Sequence, residues 1–239
     1  MMMKLLIPKQ HGAWAMLVIP FVLSMVAGGS TVWHIFLFMG WFFLYLTTYS
    51  FVMFLKGKKK EYYKKWVMIY ALAAILFLVP VGIYCMRLIY FGIAMIPFFC
   101  INLYYAKKKN ERAFLNDVAA IFTFCIGGLA SYYLGANELH NDAWTVFIYS
   151  FLYFLGCTLY VKTMIREKNN VTYKYYSWIY HFIMLFIVAL IGPVWIVIAY
   201  LPSVLRAWIL YGRKLSVMKI GIIEICNSVF FFCILVFSI

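Results

Sequence analysis

Nine long apolar runs, at about 12–28, 31–55, 66–84, 88–106, 113–135, 144–164, 176–191, 193–211 and 219–239, are separated by short polar or charged connections. A helix that crosses a bilayer needs ~20 mostly apolar residues, each rising ~1.5 Å. The runs have that character over about that length. Gly192-Pro193 supplies a turn between the seventh and the eighth. The pattern predicts an all-α, polytopic membrane helix bundle with nine transmembrane helices, a single membrane domain over residues 1–239.

Charge orients this string. All but one of the 21 Lys and Arg residues fall in or beside alternate connections: the N-terminus, and the loops between helices 2 and 3, 4 and 5, 6 and 7, and 8 and 9. The opposite side carries Arg87 alone, with Glu138 and Asp142 in an acidic loop. The positive-inside rule places the N-terminus in the cytoplasm and the C-terminus outside. A different helix count would scramble the alternation. For the same reason the first run, although it ends in signal-like Val26-Ala27-Gly28, is read as a retained helix rather than a cleaved leader.

Composition agrees. Hydrophobic residues make up 67% of the chain and charged residues 12%, with a mean hydropathy of +0.93. Soluble domains are typically ~45–50% apolar and ~25% charged, so a soluble fold of this length would have too little polar surface. The 21% of Phe, Tyr and Trp suits aromatic belts at two interfaces. A net charge of +14 could suggest nucleic acid, but the basic residues sit in short loops, where topology and anionic lipid headgroups account for them. No nucleic-acid partner is expected. The six Cys lie in or beside apolar runs without a CxxC, and read as small packing residues. No His spacing resembles a metal site, and no cofactor is expected.

An internal repeat can be read. Phe54–Trp66 (FLKGKKKEYYKKW) is echoed by Arg166–Trp178 (REKNNVTYKYYSW), and Ile93–Pro97 by Ile198–Pro202. This suggests an extra helix at about 12–28, a first four-helix repeat at about 31–135 and a second at about 144–239, related by an axis along the membrane normal.

Polar groups inside a bilayer cost roughly 2.5–3.5 kcal/mol each at mid-depth on insertion scales. The candidates gather in one half of the membrane: Gln10 and His11 opening helix 1, Asn102 on helix 4, Arg112, Asn116 and Asp117 starting helix 5, Lys162 and Arg166 ending helix 6, His181 on helix 7, Arg206 on helix 8, and Glu224 and Asn227 on helix 9. The other half offers little beyond His34, read as interfacial. Arg112 and Asn116, like Lys162 and Arg166, are four residues apart and share a helix face. Arg206 sits among Leu205, Ala207 and Trp208 and needs a carboxylate; Asp117 and Glu224 lie at similar depth. Taken singly, these residues could snorkel to the interface, cap helix 5 or form one structural ion pair. Taken together, they predict a basic, polar cavity open to the cytoplasm.

Pro8-Lys9-Gln10-His11-Gly12-Ala13-Trp14-Ala15-Met16 resembles the opening of the YwiC-like family of bacterial membrane proteins. The stretches Glu111–Asp117 (ERAFLND) and Tyr160–Glu167 (YVKTMIRE) are similar to that family too, and the resemblance runs the full length. It implies the inner membrane of a bacterium and supplies no mechanism. More distantly, the chain resembles the UbiA-type prenyltransferase fold: nine helices, a cytoplasmic N-terminus, and a 1+4+4 arrangement with its site on the cytoplasmic side. Those enzymes carry Asp-rich motifs at the cytoplasmic ends of helices 2 and 6, where Mg²⁺ bridges carboxylates to a prenyl diphosphate. Here the end of helix 2, Tyr49–Lys56, has no acid, and that of helix 6 has only Glu167. Both motifs are missing, which speaks against that metal-dependent transfer; Arg and Lys could still hold a diphosphate without metal.

The expected ligand is an amphiphile with an anionic head, an isoprenoid phosphate or membrane lipid. Arg112, Lys162, Arg166 and Arg206 would contact the head, while Gln10, His11, Asn116 and Asn227 complete the ligand-binding set. Asp117 and Glu224 would orient the cations or, in a UbiA-like lipid-group transferase, act as acid or base. The competing classes are a transporter of a small polar or lipid solute, and a non-enzymatic assembly partner of a membrane complex.

Overall fold

The computed structural model describes residues 5–8, 11–57 and 59–239, without the side chain of His11. The described helices are α1 (His11–Gly28), α2 (Trp33–Leu55), α3 (Lys60–Tyr84), α4 (Ile89–Lys107), α5 (Phe114–Ala136), α6 (Asn141–Val161), α7 (Val171–Ile191), α8 (Val194–Ile209) and α9 (Val217–Ser238). A short 3₁₀ turn, Met86–Leu88, precedes α4, and α6 continues as a π-helix over Lys162–Arg166. No strand occurs among the described residues.

Seven of these helices are long and apolar enough to cross a membrane; α1 and α8 are shorter apolar helices. At 16 residues, α8 extends about 24 Å, less than the ~30 Å of a hydrocarbon core. Elsewhere the helices outrun the apolar segments that announce them. Helix α3 starts at Lys60 rather than 66, and α7 at Val171 rather than 176. Their first turns carry Lys and Tyr, which keep the backbone helical while the heads reach water. Hydropathy therefore marks the part inside the lipid, not the whole helix.

Helix α1 lies at the centre of the bundle, packed against α5, α6 and α9, while α2 and α3 form a tight hairpin. The α1–α5 seam is built from small residues. A Cβ on Gly135 would strike the backbone of Gly28 and Gly29, and one on Gly28 the backbone of Tyr132. Gly128 faces the Pro20 carbonyl in the same way. Lipid tails are as apolar as Leu, so close backbone approach and interhelical hydrogen bonds must hold such a seam. Ser131 supplies one bond, its hydroxyl donating to the Phe21 carbonyl at 2.9 Å. His34, in the first turn of α2, is buried in the bundle, with Nε2 on the Ser131 carbonyl at 2.9 Å and Nδ1 accepting from the Thr31 N–H at 3.0 Å. The imidazole thus ties the start of α2 to α5.

Two aromatic-rich cores flank α1. One joins it to α5–α9 through Leu23, Ile121, Tyr153, Tyr200 and Phe231; the other joins it to α2, α3 and α5 through Leu17, Phe21, Trp41 and Phe124. Helix α4 buries only Ala106 and presents most of its surface outward.

The basic connections lie at one end. Lys56, after α2, pairs with Glu111, before α5, and Lys162, after α6, pairs with Asp117. The contacts of Arg87 with Tyr133 and of His34 with Ser131 mark the opposite end.

If the α1–α5 seam depends on bare backbone, Gly135→Ala should lower the melting temperature of the detergent-solubilised protein, an overpacking cost of about 1–3 kcal/mol. Gly92→Ala, where nothing lies within 4 Å of the added Cβ, should cause no loss.

Candidate functional site

The chain enters α5 through an extended Ala113 (φ −60°, ψ 141°), which puts Asp117 in the first turn. A carboxylate there is favoured by the unpaired N–H groups of the helix start. Asn116 does not cap the helix. Its Nδ2 donates to the Glu111 carbonyl at 2.7 Å and closes the α4–α5 connection.

Lys162 reaches into this connection from the end of α6. Its ammonium donates to the Arg112 carbonyl at 2.6 Å and lies 2.9 Å from Asp117 Oδ2. The Lys162 side chain is only 4% exposed, so both contacts are shielded from water. Arg166 Nη1 stands 3.8 Å from the same carboxylate oxygen with its side chain 32% exposed. Two cations thus share one anion, and the group carries a surplus positive charge. Both cations belong to the π-helix, closed by the Glu167 N–H bonding to the Lys162 carbonyl at 2.7 Å. Such segments are rare and occur frequently at functional sites.

A second polar group lies between α6, α8 and α9. Arg206 forms an ion pair with Glu224, both side chains largely buried. Its Nη2 donates to Cys157 Sγ at 3.2 Å, and its guanidinium sits 4.7 Å from the centre of the Tyr160 ring, within cation–π range. Asn227 Nδ2 donates to Tyr153 Oη at 2.6 Å and to Ser203 Oγ at 3.0 Å. The Tyr153 hydroxyl in turn donates to Ser228 Oγ at 3.2 Å. Every branch joins different helices. His181 is buried on α7, its Nδ1–H donating to the Ser177 carbonyl at 2.7 Å and its Nε2 against Gly156.

The residues expected to line one cavity are therefore sorted into two paired sets. Asp117, Lys162 and Arg166 come together, with Arg112 contributing its carbonyl while its side chain is exposed. Arg206, Glu224 and Asn227 occupy the other set, which gives Arg206 to Glu224 and leaves Asp117 to Lys162. Asn116 stays within its own loop. Gln10 lies outside the described residues, as does the His11 side chain, and with it the approach of His11 to His181. Tyr153, Tyr160, Cys157, Ser203 and Ser228 were not singled out by the sequence, because such residues are common in membrane helices and only their facing partners give them a role. No cluster of three or more His, Cys, Asp or Glu side chains that could hold a metal occurs among the described residues.

Long apolar helices with paired charges between them define a multi-pass helical membrane protein. Residues 7–132 match the YwiC-like protein family. The YwiC protein of Bacillus subtilis is 48% identical over 233 residues, 98% of each chain, and a protein of Haemophilus influenzae is 42% identical over the same length and shares. The chain belongs to the YwiC-like family. No solved structure matches it.

Removing one member of the buried pair should separate its energetics from simple charge loss. Glu224→Ala strands Arg206 and should destabilise the protein by about 3–5 kcal/mol, whereas Arg206→Met/Glu224→Leu should recover most of that loss. Thermal unfolding of the three proteins in one detergent checks this.

Proposed function

We propose that this is a bacterial inner-membrane protein that holds the phosphate-bearing head of an amphiphile, an isoprenoid phosphate or membrane lipid, at its cytoplasmic face. The observation that carries the reading is the sharing of the Asp117 carboxylate by Lys162 and Arg166 on a π-helix. Lys162 is committed to structure by its two buried contacts. Arg166 is not. It stands at the edge of ion-pair distance, partly open to water, and its planar fork suits bidentate contact with phosphate. Exposed Arg112 and the lysines of the neighbouring connections add a positive field that draws anionic heads to this end of the bundle. The helical architecture and the bacterial relatives support the inner membrane.

The Arg206–Glu224 group takes a different part in this reading. Its charges are matched and its hydrogen bonds run between helices, so it holds α6, α8 and α9 in register beneath the head site.

Native mass spectrometry of the detergent-purified protein tests the proposal. The wild type should carry a phosphate-headed lipid that Arg166→Gln loses, with little change in melting temperature because an exposed ion pair contributes only about 0–1 kcal/mol. Asp117→Asn removes the competing carboxylate and should retain or tighten the lipid. The same lipid on wild type and Arg166→Gln would overturn the reading. Loss of turnover with retained binding in Asp117→Asn would make Asp117 an acid or base in a transferase.

A further inference from the structure

At the end opposite the basic loops, α4 and α6 each pack on α5 and leave a groove of about 460 Å³ between them. Its walls are Phe91 and Ala94 of α4, Phe122 and Ile126 of α5, and Trp144 and Phe147 of α6. Its aromatic residues touch one another: Phe91 lies 5.6 Å from Tyr133 between centroids, and Phe147 lies 6.1 Å from both Phe122 and Trp144. The volume lies within the range of small-molecule sites. Its apolar walls suit an aliphatic chain.

The one charge on the groove is Arg87. It is the exception to the charge rule that orients the whole chain: every other Lys and Arg belongs to the basic end. Arg87 starts from the 3₁₀ turn before α4 and donates through Nη1 to the Tyr133 hydroxyl at 3.1 Å. Both residues line the groove. The Tyr133 hydroxyl occupies one of the five N–H donors of the guanidinium. Neither acid of the neighbouring loop forms an ion pair with Arg87 among the described residues: Glu138 Oε2 lies 3.5 Å from His140 Nε2, and Asp142 stands in the first turn of α6. An exposed cation without an ion pair among the described residues thus stands at the mouth of an apolar, aromatic slot.

We propose that this groove is a binding site for a glycerophospholipid of the outer leaflet, one acyl chain lying between α4 and α6 and the phosphate on Arg87. Charge and shape together select this occupant. A chain without a phosphate leaves Arg87 unmatched, and a soluble anion leaves the slot unfilled. Tyr133 holds the guanidinium over the mouth, and Trp144, 48% exposed, offers its indole N–H at the same interface. The site is independent of the cytoplasmic head site, which lies on the other face and uses other residues.

Native mass spectrometry with added lipid tests it. Delipidated protein carrying Arg166→Gln, to silence the cytoplasmic site, is titrated with palmitoyl-oleoyl phosphatidylglycerol and with the diacylglycerol of the same chains. One phosphatidylglycerol should bind about tenfold more tightly than the diacylglycerol, the factor a single charge-assisted contact supplies. Arg87→Gln should erase that preference by weakening the phospholipid alone. Ala94→Trp, which fills the slot from an exposed position, should weaken both while leaving the melting temperature unchanged. Retention of the preference by Arg87→Gln would overturn the proposal. So would equal binding of both lipids by the Arg166→Gln protein, or undiminished binding by a folded Ala94→Trp in that background.

Discussion

A charge inside a hydrocarbon layer has no water to fall back on, and the architecture of this protein follows from where its few intramembrane charges find partners. Arg206 meets Glu224, and Lys162 meets Asp117. The first pair joins the successive helices α8 and α9 and the second joins α5 to the end of α6, so neither can form until its helices have packed. Lys162 also donates to the Arg112 carbonyl. One ammonium group thereby fastens the α4–α5 connection to the end of α6.

The remaining adhesion is non-electrostatic and directional. Between lipid-bathed helices the hydrophobic effect has little left to gain, so van der Waals contact and hydrogen bonds must distinguish the native bundle from other arrangements. The α1–α5 seam meets that demand by removing side chains: at Gly28, Gly128 and Gly135 the backbones come close enough that no Cβ fits. Ser131 then adds a bond across that seam, to the Phe21 carbonyl, and His34 ties α2 to the same stretch of α5. The Asn227–Tyr153–Ser228 chain does the same between α6 and α9. These bonds fix rotation as well as distance, which decides the residues each helix turns inward.

The two ends of the bundle differ in their treatment of charge. At the basic end, Glu111 and Asp117 are spent on Lys56, Lys162 and Arg166, and surplus cations remain around them. At the opposite end a single Arg87 rests on a phenol beside an aromatic slot. The first suits collecting anionic heads from a charged leaflet, and the second a single lipid held by chain and phosphate together. In both, the cation that can meet a ligand has no carboxylate to itself: Arg166 shares Asp117 with Lys162, and Arg87 has no ion pair among the described residues.

Much of this was legible along the chain. The number of apolar helices, their order and the common end of the basic connections are set by local composition, because burial in lipid is decided residue by residue. That Arg206 calls for a partner is also a local fact, because a guanidinium among apolar residues is costly alone. The choice of Glu224 over Asp117 was not legible, since it depends on how α8 and α9 rotate against each other. Nor was the division of the expected cavity into two sets, the π-helical register of Lys162–Arg166, which a backbone adopts without a marker in side-chain type, or the burial of His34. The groove beside Arg87 exists only because α4 and α6 stand apart across α5. Sequence determines which groups cannot remain alone in a membrane. Tertiary structure decides which of them meet, because partnership depends on distance and facing, and these are properties of the assembled helices.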